Sequence, residues 1–234
     1  PFADVNEMVS KLSRLFHRMS TDLGEKFDML VEMDTLDLDT RKGKAPGGYQ
    51  YYLQKSRVPF IFMNAAGLQG DLETMIHEAG HAFHSIYCGH LELIGERSYP
   101  IEFAEVASMS MELMTQNEWG EFYSDEEANR ARLGHLEGVI FLLPWIATID
   151  SFQHWIYSNP GHTRDERKAV WNSIRDRFGS NMEWGDYQGH RDTSWQQQGH
   201  LFGVPFYYVE YGIAQLGALP VSYTHLTLPT TSFV

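Results

Sequence analysis

The sequence predicts a mainly α fold with a small β-sheet. Three observations carry that expectation. Apolar residues recur at three- and four-residue intervals through most of the chain, two capping boxes mark helix starts, and two short runs of aromatic and branched residues lie between positions 49 and 63.

Met8, Leu12, Leu15, Phe16 and Met19 form one apolar stripe, and Phe27, Leu30 and Val31 form a second after a break near Ser20 and Thr21. Two helices follow from that pattern. Residues 41–49 are rich in turn formers but lack the Gly-Lys-Ser/Thr ending of a phosphate loop. Tyr49–Leu53 and Val58–Met63 read as strands. A helix follows, with Asp71 and Glu73 at its positive end and Gly89 to stop it after Cys88. Pro100 starts another, running to Met114 and lined by Phe103, Val106, Met109, Leu113 and Met114. The box Ser124-Asp-Glu-Glu127 opens a long helix through Leu133, Ile140 and Leu143, which Pro144 should kink. Thr163-Arg-Asp-Glu166 opens the next, ending before Gly179. Tyr208 and Tyr211 lie three apart on a further helix, so both phenols point to one side. After Leu219, residues 220–234 abandon helical periodicity and resemble translated sequencing-adapter sequence. They are expected to be a non-native tail.

At 234 residues, with 43% hydrophobic and 14% aromatic content, the chain can bury one sizeable core or part of a larger one. No internal repeat or linker marks a second domain, so residues 1–219 are expected to form one. A net charge of −13 argues against nucleic acid or an anionic membrane as partner, and no apolar run of about 18 residues is evident. Cys88 stands alone, which excludes an internal disulfide and suits a reducing compartment.

The chemistry lies in His77-Glu-Ala-Gly-His81, a His-Glu-x-x-His motif on the helix ending at Cys88. Residues four apart are one turn apart, so both imidazoles project from one face at a spacing that suits a single tetrahedral Zn²⁺. Glu78 sits about 100° round the helix, placed to act as general base on a metal-bound water. A catalytic zinc site commonly needs a third protein ligand, and the next helix offers Glu102, Glu105 and Glu112. Glu105, flanked by the small Ala104 and Ala107 that let helices approach, is the expected ligand, 24 residues after His81. Glu112 shares its face, either as acceptor for a ligand imidazole or as a solvated acid. Glu102 complements the helix start. His84 shares the face of His77 but lies two turns, about 10 Å, away, too far for the same ion; His90, His135, His154 and His162 are likewise not expected to be ligands.

Three segments, HEAGHAFH at 77–84, FAEVASMSMEL at 103–113 and GHLFGVPFYYVEYGIAQLGAL at 199–219, together with DTRKGKAPGGYQ at 39–50, resemble the thimet oligopeptidase and oligoendopeptidase F family of zinc metallopeptidases, closest to the oligoendopeptidase F branch. That resemblance implies a zincin-like helical peptidase catalytic domain with one Zn²⁺ per chain, held by His77, His81 and Glu105, with Glu78 as base. It also implies that His200, Tyr208 and Tyr211 contact substrate or stabilise the transition state; the loop between His200 and Tyr208 is one residue shorter than in thimet oligopeptidase, which leaves Tyr207 as an alternative to Tyr208. The expected activity is hydrolysis of peptide bonds within oligopeptides, in the cytoplasm, with zinc carboxypeptidase or a catalytically incomplete peptide-binding fragment as alternatives. Relatives carry an N-terminal helical region and continue past residue 219, so the chain is expected to be a fragment. An edge strand beside the zinc site could hold an extended peptide, with Gly47 and Gly48 allowing close approach, or those glycines could simply serve the turn.

Overall fold

The computed structural model describes residues 1–179 and 182–227, which form two units: Pro1–Gly134 with the segment from Ala214 onward, and His135–Ile213.

The first unit starts with a helical hairpin. Asp4 caps α1 (Val5–Met19) by accepting from the Glu7 backbone N–H, and the extended Ser20 separates it from α2 (Thr21–Glu32). Met8, Leu12, Leu15 and Phe16 are fully buried, and the Phe16 ring meets Phe27 at 5.1 Å and Phe83 at 5.0 Å. Val31, expected on the buried stripe, is 43% exposed.

Three strands follow: β1 (Leu36–Asp39), β2 (Tyr49–Leu53) and β3 (Val58–Ala65). Their order is β1-β3-β2, with β1 parallel and β2 antiparallel to β3, and both Leu36 and Gln50 pair with Ile61. The sequence pattern missed β1, because four residues alternating Leu and Asp are too few to fix a period. The central β3 buries Val58, Ile61 and Met63, whereas β2 is an edge strand with Tyr49 and Tyr51 exposed.

Helix α3 (Gln69–Cys88) crosses this sheet. The Asp71 carboxylate accepts from the backbone N–H groups of Ala66 (2.7 Å) and Leu68 (2.9 Å), satisfying donors at the helix start. Leu72, Met75, Ile76, Ala79 and Ala82 are fully buried. Helix α4 (Ile101–Met114) starts after Pro100 and packs on α3, where Gly80 faces Ala107, Ser108 and Met111; Ala104 and Met109 are buried as well, while Phe103, expected to line the helix, is 65% exposed. The short helical turn Thr115–Glu121 buries Trp119.

Ser124 and Glu127 form the expected box at the start of α5 (Asp125–Ser158), a continuous helix that includes Pro144. By length and composition alone this helix is long and apolar enough to cross a membrane, although its sequence shows no unbroken apolar run of that length. One such helix is weak grounds for a membrane location.

The second unit is built from the later part of α5, α6 (Arg164–Phe178), α7 (Gln188–Thr193) and α8 (His200–Gly203) around Ile149, Phe152 and Trp171. Thr163 and Glu166 cap α6 reciprocally. Asp192 accepts from Lys168 Nζ (2.6 Å), Asn172 Nδ2 (2.7 Å) and Gln188 Nε2 (2.9 Å), and these bonds, Lys168 first, hold its carboxyl at about 2. A lowered native pKa contributes stability above the ordinary Asp value that is lost as pH falls through about 2. Asp192→Asn is therefore expected to flatten the fall in unfolding free energy between pH 4 and 2, read by denaturant titrations; an unchanged acid limb would show that Asp192 is not the linked group.

Helix α9 (Val209–Thr227) begins in the second unit and continues in the first, where Ala214, Ala218 and Ser222 are buried. A Cβ on Gly217 would lie 2.9 Å from Val106. The expected end of periodicity after Leu219 is thus not the end of the helix, which runs through Pro220 to Thr227. The rest of the expected tail, 228–234, lies outside the described residues.

Candidate metal centre

His77, Glu78 and His81 belong to α3, and Glu105 and Glu112 to α4, so the site depends on how closely the two helices approach. Gly80 sets that distance. A Cβ there would lie 2.7 Å from Ser108 Cα and 3.1 Å from the Ala107 carbonyl oxygen. Those neighbours are backbone, which cannot rotate away. A larger side chain is expected to cost about 1–3 kcal/mol by overpacking, and for Gly80→Val no gain in helix propensity comparable to that of alanine offsets it. Gly80→Val should lower the unfolding midpoint and weaken metal binding together; a midpoint equal to that of the parent would exclude the tight crossing.

With the helices this close, His77 Nε2, His81 Nε2 and Glu105 Oε2 form a triangle. Its edges are 3.2 Å between the nitrogens, 3.3 Å from His77 to Glu105 and 3.6 Å from His81 to Glu105. Ligands at about 2.0–2.1 Å in a tetrahedron are separated by roughly 3.3 Å. The three donors therefore fit one small cation with a fourth position left over. They form a candidate metal-ligating group among the described residues.

The other ring nitrogens are engaged as such a site requires. His77 Nδ1 lies 2.6 Å from Glu112 Oε1, and the His81 ring bonds the Ala104 backbone. Glu112, open in sequence between imidazole partner and solvated acid, is the partner; it fixes the Nδ1–H tautomer and leaves the Nε2 lone pair for a metal. Burial pulls the His77 pKa down, but the Glu105 and Glu112 carboxylates outweigh it and raise it to about 10. Burial, with His77 beside it, lowers His81 to about 4. Two carboxylates thus call for positive charge at one point, which a proton on His77 or a divalent cation supplies.

Glu78 is 6% exposed, and burial pushes its carboxyl up to about 7. It accepts from the backbone N–H of Gln50 in β2. Gly48 is close as well: a Cβ there would meet Thr74 Cγ2 at 2.9 Å and Glu78 Oε1 at 3.6 Å, so this glycine is needed by α3 itself. Gly47, at φ +97°, serves the turn. Gly48, Thr74, His77, Glu78 and Glu112 line a cavity of about 410 Å³. The Gln50 contact has no sequence signature, since any residue but proline supplies it.

Of the other histidines, His84 stacks on Tyr99 at 3.9 Å, and His90 and His162 bond the backbone carbonyls of Tyr87 and Asn159. His200, Tyr208 and Tyr211 lie together in the second unit. Tyr208 and Tyr211 lie 4.9 and 5.7 Å from the His200 ring, centroid to centroid, and the Tyr211 hydroxyl is 3.4 Å from His200 Nε2. Gln198 Nε2 is 2.6 Å from His200 Nδ1. Tyr208 precedes α9 instead of riding on it; it packs against the Phe152 and Trp171 core, and burial pushes its phenol up. Tyr207 stacks on the same imidazole at 5.8 Å.

A family model described as peptidase family M3 matches residues 15–227. Oligoendopeptidase F, chromosomal, of Lactococcus lactis subsp. cremoris is 25% identical over 69% of the chain, and oligopeptidase PepF of Bacillus subtilis (strain 168) is 28% identical over 58%. The aligned regions cover 25% and 21% of those proteins. The solved structure of PZ peptidase A with an inhibitor superposes on 97% of the chain with a TM-score of 0.90 and 33% identity, and the match spans 41% of that protein.

Proposed function

The chain belongs to peptidase family M3, and from that premise we propose that it is the catalytic part of a zinc-dependent metalloendopeptidase acting on oligopeptides. The observation that supports this most is the triangle of His77, His81 and Glu105 donor atoms with the Glu78 carboxylate beside it. Zinc bound there would supply Lewis acidity and a water of lowered pKa. His77, His81 and Glu105 would hold it, and Glu112 would orient His77. Glu78, with a carboxyl raised to about 7, is poised to take a proton from the attacking water and return it to the leaving amine. The edge of β2 offers backbone groups to an extended peptide. The proposed donors to the oxyanion are His200, Tyr208 and Tyr211, a role that rests on the resemblance of their segment to the family.

Metal analysis of the purified chain, paired with a peptide digest followed by mass spectrometry, tests the proposal. About one zinc per chain and internal cuts are expected. Stepwise loss of C-terminal residues would make it a carboxypeptidase, and bound metal without cleavage would leave a peptide-binding fragment.

A further inference from the structure

β2 leads from the metal centre to a second cavity. Gly48 borders the pocket that holds His77 and Glu78, while Gln50, Tyr52 and Gln54 line a separate cavity of about 390 Å³ with Ser85, Arg97 and Tyr99. Arg97 is only 7% exposed, yet no Asp or Glu forms an ion pair with it among the described residues. Its Nε donates to the Leu91 carbonyl (2.8 Å), Nη2 to the Glu92 carbonyl (2.9 Å) and Nη1 to Gln54 Oε1 (3.1 Å). A guanidinium carries five N–H donors, so two remain. Gln50 Nε2, on the same cavity, is buried with no hydrogen-bond partner among the described residues.

A buried cation without a counter-charge and a buried amide without an acceptor are both unfavourable in isolation. One carboxylate in the cavity would answer both, since Arg presents a fork matched to two carboxylate oxygens. The distance from the chemistry is also defined. From Gly48 to Tyr52 the strand advances about 13 Å, and from Glu78 to Ser85 α3 advances about 10 Å. An extended peptide covers that span in three or four residues.

We propose that this cavity is a specificity pocket for a carboxylate three or four residues from the scissile bond, with Arg97 as the recognising cation and Gln50 as a second donor. The carboxylate comes from an acidic side chain or from the free C-terminus of the peptide. The inference rests on the peptidase reading.

The test uses quenched fluorescent peptides identical except for Glu or Gln at the third and fourth residues on each side of the cut, each with a free or an amidated C-terminus. kcat/KM is measured on the parent, Arg97→Met and Gln54→Glu, and Kd by fluorescence anisotropy on Glu78→Gln. The parent should prefer one acidic form about tenfold or more, and Glu78→Gln should bind it correspondingly tighter. Gln54 is exposed at the end of β2, so Gln54→Glu should fold and supply Arg97 with an internal counter-charge. It should bring the preference near one while cleavage of the neutral peptide persists, and this holds the test open if Arg97→Met does not fold. A preference at an internal position identifies a side chain, and one lost on amidation identifies the C-terminus. Equal handling of acidic and neutral peptides by the parent overturns the pocket, as does a preference unchanged in Gln54→Glu. If no peptide is cleaved, the peptidase reading fails, and the ratio of Kd values still decides for or against the pocket.

Discussion

Glu78→Gln is expected to retain its metal and lose peptide hydrolysis by about 10²- to 10⁴-fold in kcat, the usual contribution of a positioned general base. Glutamine keeps the shape and can still accept from the Gln50 N–H, so the cavity wall should survive. What it lacks is a group able to take a proton. Because Glu78 is absent from the triangle of ligating atoms, zinc content should equal that of the parent. Loss of zinc from Glu78→Gln, or parent-like cleavage of a quenched peptide, would remove it from the role of base.

Glu105→Ala is expected to have the opposite signature, losing metal first and activity as a result. Removing a hydrogen-bond partner behind a ligand usually costs 10- to 100-fold in metal affinity, which is the expectation for Glu112→Gln. Glu105→Ala removes one of the three proposed ligands and should cost more than that. It also leaves the His77 and His81 nitrogens, 3.2 Å apart, without the carboxylate that favours a cation between them. Metal titration with a chromophoric chelator should rank the parent above Glu112→Gln and Glu112→Gln above Glu105→Ala. A reversed order would exchange the roles of the two glutamates.

The meeting of His77, His81 and Glu105 was legible because its geometry is helical and local. The four-residue interval between His77 and His81 fixes their shared face whatever surrounds it, and Ala104 and Ala107 announced a close helix crossing. The existence of β1 and the exposure of Val31, Phe103 and Leu133 were not legible. Periodicity locates an apolar stripe, but tertiary packing decides whether anything covers it. The bond from the Gln50 N–H to Glu78 and the unpaired Arg97 are invisible for another reason. The first is a backbone group, and the second becomes unusual only because no Asp or Glu side chain forms an ion pair with it among the described residues.

One helix reaches both nitrogens of the same ring. Glu105 lies 3.3 Å from His77 Nε2 and Glu112 lies 2.6 Å from His77 Nδ1, and the two glutamates are two turns apart on α4. Inserting or deleting one residue between them would turn Glu112 by about 100° and take it off the ring. The non-helical stretches between Cys88 and Ile101 can vary in length without that penalty. Alignment gaps in proteins that keep this centre should therefore fall between the His-Glu-x-x-His motif and Glu105. The interval from Glu105 to Glu112 should admit none, which makes it a more stringent signature than the distance from His81 to Glu105.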